Sequence, residues 1–142
     1  MLIPIAENIW GVHVPSRSRG LRLGVRMTVI RLKDGGLFLH SPVPMDDGAL
    51  AALQILGRVR TIVAPSMMHY LHVTAYRRLF PDAQVLAAPG LPQKHAAALG
   101  EHFPDPPVFA KPGQAGGALY HGELGDAADA SYRADFDQLV VQ

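Results

Sequence analysis

Apolar and polar positions alternate loosely from Ile3 to Val14, with Ile9, Trp10 and Val12 prominent, and this pattern predicts a first strand ending at Pro15. Arg26-Met27-Thr28-Val29-Ile30-Arg31-Leu32 predicts a second strand, because β-branched side chains suit a pleated surface. The turn sequence Lys33-Asp34-Gly35-Gly36 then hands the chain to a hairpin partner at Leu37-Phe38-Leu39-His40. Pro42 and Pro44 lack the amide hydrogen a ladder needs, and they end that strand. Beyond them the period changes. Leu50, Leu53, Ile55 and Leu56 cluster on one side of a helix predicted over roughly 47–56, capped by Asp46 or Asp47 and stopped by Gly57. Val59-Arg60-Thr61-Ile62-Val63-Ala64 returns as a short strand closed by Pro65-Ser66. A second helix is predicted from about His69 to Phe80 on Leu71, Ala75, Leu79 and Phe80, with Pro81-Asp82 breaking it before the strand Gln84-Val85-Leu86-Ala87. Pro89-Gly90-Leu91-Pro92 opens a third helix over roughly 91–99, ending at Gly100.

Strand, helix and strand follow one another twice, which favours parallel pairing through right-handed crossovers. The hairpin before them is antiparallel, so the expected architecture is α/β with a mixed sheet. After residue 100 the pattern weakens. Pro104, Pro106, Pro107, Pro112, Gly113, Gly116 and Gly117 read as loop, with a short strand at Ala118-Leu119-Tyr120 and a strand-like run from Phe136 to Gln142. The reading is one domain over 1–142, of which 101–142 is loop-rich.

Composition narrows the function classes. With 142 residues, 49% of them hydrophobic and 18% charged, the chain has material for one packed core. Its apolar runs, such as Leu37-Phe38-Leu39, are far short of the roughly 20 residues that cross a bilayer. The N-terminus has no basic leader or cleavage site, which places the protein in the cytoplasm as an expectation. Without cysteine there is neither a disulfide nor a thiolate zinc site, so a metal would need His, Asp or Glu ligands. A net charge of +1 argues against a nucleic-acid partner, and no membrane partner is expected. Arg17, Arg19, Arg22, Arg26 and Arg31 do crowd together. With Gly20 and Gly24 among them they read as a solvated hairpin loop, the alternative being an anion-binding patch with salt-sensitive affinity.

The chemistry concentrates after the strand ending at Ala64. Ligand sites of α/β sheets gather at carboxyl ends of strands, and here that end is followed by Ser66-Met67-Met68-His69-Tyr70-Leu71-His72. The order of elements and this segment resemble the metallo-β-lactamase superfamily, whose proteins carry a His-x-His-x-Asp-His motif at this point. His69 and His72 match its second and last histidines, while Met67 stands for the first and Leu71 for the aspartate. Phe80-Pro81-Asp82-Ala83-Gln84-Val85 is similar to the family's link to the next strand. Arg26 to Leu32, His40-Ser41-Pro42 and Val63-Ala64-Pro65 more closely resemble an uncharacterised branch in which the metal motif is degenerate.

The resemblance covers about residues 3–100 and implies half of an αββα sandwich, with helices on one face of the sheet and the other face, carrying Val29, Leu32 and Leu39, uncovered. A homodimer through that face is the expected partner arrangement. A thioether is a weak ligand for zinc and leucine offers no ligand atom, so dinuclear hydrolysis is not expected. His69 and His72, neighbours at i, i+3 on a helix face, are the candidate metal ligands, with His40, His121 or His102 as a third. The leading expectation is a binding or structural protein with no cofactor. The alternative is a mononuclear hydrolase of a small ester, thioester or phosphoester using zinc or another divalent metal, with no catalytic residue assigned. His95 and His102 are expected to be solvated.

Overall fold

A computed structural model describes residues 1–18, 21–99 and 119–137. The described strands form a seven-stranded sheet in sequence order: β1 (Leu2–Ala6), β2 (Ile9–Ser18), β3 (Leu21–Arg31), β4 (Leu37–His40), β5 (Val59–Ala64), β6 (Gln84–Ala87) and β7 (Gly122–Glu123). β1 to β4 pair antiparallel and β4 to β7 pair parallel, so the mixed sheet of an α/β fold is present. The helices are α1 (Asp47–Leu56), α2 (Val73–Leu79) and α3 (Leu91–Leu99). Asp46 caps α1, its carboxylate accepting from the Ala49 N–H at 2.6 Å.

The expected first strand is two strands. Asn8 sits at φ 59°, a left-handed conformation that asparagine tolerates, and turns the chain between β1 and β2. Pro15 does not end β2; it lies within it, opposite Gly24. β1 reaches only as far as Val12, so the proline's missing N–H falls where β2 has no neighbour on that side. β3 likewise starts at Leu21 rather than Arg26, and the expected arginine-rich loop is largely a paired ribbon.

Period-two alternation sorts the sheet residues between two layers. Val29, Leu37, Leu39, Ile62 and Val85 pack under Leu53 of α1, Val73 and Tyr76 of α2 and Leu91 of α3. Ile30, Phe38, Val63 and Leu86 point the other way, where Tyr132 and Phe136 cover them. The Tyr132 and Phe136 rings both meet Phe38 edge-on with centroids 4.8 Å apart. Val29 and Leu39 are therefore not on an uncovered face, as the sequence suggested; they are fully buried beneath the helices. Their even spacing from Leu37 and Ile62 in the ladder puts them in the helix layer.

Candidate functional site at the carboxyl ends of β4 and β5

Two histidine and serine pairs stand side by side where β4 and β5 end. On β4, His40 Nδ1 lies 3.2 Å from Ser41 Oγ. Ser41 adopts φ 64° while its N–H donates to the Val63 carbonyl at 3.0 Å, so the chain turns sharply without losing contact with β5. Behind the turn, the buried Tyr76 hydroxyl donates to the Val43 carbonyl at 2.7 Å. Burial raises the Tyr76 pKa well above that of an ordinary phenol.

Just after β5, Ser66 organises the loop. Its Oγ lies 2.6 Å from His69 Nδ1 and accepts from the Met68 N–H at 3.3 Å, and its carbonyl accepts from the His69 N–H at 3.0 Å. A serine that satisfies the backbone locally competes with helix formation. The helix expected from His69 accordingly begins only at Val73, and His69 and His72 lie in turns before it instead of on one helix face. His72 takes the N-cap position of α2 without a side-chain capping bond. From α3, Lys94 Nζ donates to the Met67 carbonyl at 2.7 Å and sits 5.6 Å from the Tyr70 ring centroid, pinning the loop at its far side.

Electrostatics keep these imidazoles neutral. Burial lowers the pKa of His40, and a charge on His69 would lower it further, so the two rings sense one another. Burial also lowers His69 and His72. Neutral imidazoles at a strand end offer lone pairs to a proton, a ligand or a metal. Around them Met68 and Leu71 are 71% and 68% exposed, forming an apolar lip.

The remaining histidines are elsewhere. His121 accepts from the Val85 N–H at 2.9 Å through Nδ1, which anchors it beside the middle of β6, and burial and the neighbouring Arg77 lower its pKa. His95 is buried, not solvated, with Nδ1 2.8 Å from the Tyr120 hydroxyl and its ring 5.0 Å from that of Tyr70. His102 lies outside the described residues. Among the described residues, no three His, Asp or Glu side chains gather into a group able to hold a metal ion. Ser41, Ser66 and Lys94 were not singled out from the sequence. Ser66 carries a signal, three residues before a histidine at a strand end, whereas nothing local announces Lys94.

An α/β chain whose histidines cluster where parallel strands end defines the class of protein. More particularly, the chain belongs to the family described as Domain of unknown function (DUF4336), whose pattern matches residues 6–93 and so includes the whole cluster from His40 to His72. Among solved structures it is similar to the metallo-β-lactamase FIM-1 from Pseudomonas aeruginosa in its mono-zinc form, with 15% identity and a TM-score of 0.49. That match covers 66% of this chain and 46% of the enzyme, so the chain spans less than half of that protein's length. No curated protein matches it.

Proposed function

We propose that this chain is a binding or structural domain built on a metallo-β-lactamase-like half, and that it does not carry out two-metal hydrolysis. The observation behind this reading is the make-up of the Ser66 to His72 loop. Met67 and Leu71 stand at the positions where the resembling family keeps ligands, and the Nδ1 of the remaining His69 is engaged by Ser66. Two imidazoles without a carboxylate do not form the donor set of a dinuclear site. What the loop does offer is a small recognition surface: neutral rings at its base and an exposed methionine and leucine lip above. Such a surface suits a ligand with an apolar body and one hydrogen-bond donor.

Elemental analysis after expression in metal-supplemented medium tests the reading, together with assays on ester, thioester and phosphoester substrates. Less than about one-tenth equivalent of zinc, iron or manganese and no turnover are expected, since two imidazoles fall short of the roughly three protein ligands a catalytic metal needs. Stoichiometric metal with turnover would overturn it. One observation favours the mononuclear alternative: His40 and His69 sense each other, and each has its Nδ1 beside a serine hydroxyl, the kind of partner that orients a ligating imidazole. If that alternative holds, zinc titration by calorimetry gives one equivalent, and His69→Ala and His72→Ala each abolish it.

A further inference from the structure

The hairpin of β2 and β3 outruns the rest of the sheet. β1 begins opposite Val12 and β4 ends opposite Thr28, yet the β2 to β3 register continues through His13 opposite Arg26 and Arg17 opposite Arg22 to Ser18 opposite Leu21. Among the described residues no further strand flanks this two-stranded ribbon, and Arg17, Arg22 and Arg26 occupy positions in its ladder.

Charge is partitioned along with shape. Between Glu7 and Asp34 lie six of the chain's 13 Lys and Arg and none of its 12 Asp and Glu, leaving seven bases against twelve acids elsewhere. Arg26 is exposed, and among the described residues no carboxylate pairs with it. Such a block of positive charge suits an anion from outside the chain.

The chemistry next to the ribbon indicates which anion. A Cβ on Gly11 would meet Ile5 Cδ1 at 3.1 Å and Arg26 Cδ at 3.9 Å, so an isoleucine and an arginine flank the same notch. Ile3, paired with Gly11, and Ile5 are 49% and 56% exposed. No aromatic residue lies between His13 and Ile30 to stack on bases. Exposed aliphatic side chains beside cations gain at a bilayer interface, where acyl chains and anionic headgroups act together, and gain little against a phosphate backbone.

We propose that the β2 to β3 ribbon, with Ile3 and Ile5 of the adjoining edge strand, docks on the surface of an anionic phospholipid bilayer. No described helix is long and apolar enough to cross a membrane. Docking is independent of the histidine cluster.

Co-sedimentation of the full chain with vesicles tests it, comparing phosphatidylcholine alone with equal parts phosphatidylcholine and phosphatidylglycerol. Binding is expected only to the mixed vesicles, falling at least about tenfold between low and moderate salt. Arg17→Gln, Arg22→Gln and Arg26→Gln together are expected to weaken it on the order of a hundredfold, at about fivefold each. Ile3→Ser with Ile5→Ser is expected to cost about tenfold while leaving the salt dependence in place. Equal sedimentation with both vesicle types, no sedimentation, or insensitivity to salt overturns the proposal. Retention on duplex DNA without vesicle binding also overturns it and assigns the ribbon to nucleic acid. Should circular dichroism show the arginine variant unfolded, the lipid and salt dependence of the unaltered chain decides alone.

Discussion

Ser66 serves both the backbone and the imidazole it faces, so a single hydroxyl links the turn to the state of His69. Ser66→Ala is expected to cost about 1 kcal/mol, the worth of one partly exposed hydrogen bond, in urea unfolding. In the same variant the ring resonances of His69 should move while those of His121, held by Val85, stay in place. Burial lowers the pKa of His40, His69, His72, His95 and His121 alike. On acidification the unfolded chain therefore takes up protons first, near the ordinary imidazole value of about 6.5, and the folded chain only later. The stability these groups contribute is full above about pH 6.5 and is lost as pH falls through their folded values. Urea midpoints are expected to be flat above about pH 7 and to drop below about pH 6. His95→Gln, which keeps a polar atom near the Tyr120 hydroxyl but cannot take a proton, should remove part of that drop. An unchanged slope would mean that His95 does not contribute to it. The histidines were only half legible in sequence. His69 and His72 announce themselves by spacing, whereas His95 depends on Tyr120, 25 residues away across a proline- and glycine-rich stretch that carries no periodicity.

Elements with strong local punctuation were legible to the residue: α1, β5 and β6 begin and end, and α3 begins, where aspartate, glycine and proline predicted. Those whose limits depend on tertiary neighbours were not. Pro15 reads as a terminator because a proline seldom sits in a central strand, but β1 stops short of it and makes that part of β2 an edge. Leu71 and Ala75 have helical spacing, yet Ser66 holds the chain in turns as far as Val73. The glycine ending α1 carries a second duty that its sequence role hides. A Cβ on Gly57 would lie 2.5 Å from the Gly35 carbonyl oxygen, so the loop before β4 and the loop before β5 pass in direct backbone contact. Gly35 itself has φ 82° with open space around it. Gly57→Ala is therefore expected to cost about 1–3 kcal/mol, as overpacking against rigid backbone does. Gly35→Ala should cost only about 1 kcal/mol, from left-handed strain alone. Thermal melts of the two variants, read side by side, test the order; a larger loss at Gly35 would put the backbone contact in doubt.

At the scale of the molecule, the chain covers much of its second sheet face with its own residues. Tyr132 is 1% exposed, stacks on Phe136 with centroids 5.0 Å apart, and shields Phe38, Val63 and Leu86. The homodimer expected from sequence rested on an uncovered sheet face, and Tyr132 and Phe136 cover the part of the second face around Phe38, Val63 and Leu86. This cover was not visible beforehand, because Tyr132 sits in short turns between Ala130 and Asp135 without helical or strand period, and Phe136, read as opening a strand-like run, follows directly after them. The arrangement separates two effects that usually coincide when a core residue is truncated. Tyr132→Ala is expected to cost about 3–5 kcal/mol, a large share of a typical domain's 5–15 kcal/mol, and also to uncover a contiguous aromatic and aliphatic patch. Leu53→Ala, on the helix side, should cost a comparable 2–5 kcal/mol but leave its neighbours under α1. Below their melting temperatures, light scattering should then show Tyr132→Ala self-associating more than the unaltered chain, while Leu53→Ala keeps the parent mass. If both variants keep the parent mass, the second face is not an association surface even when uncovered. If both self-associate, loss of stability alone is the cause, and the C-terminal cover has no separate role in keeping copies apart.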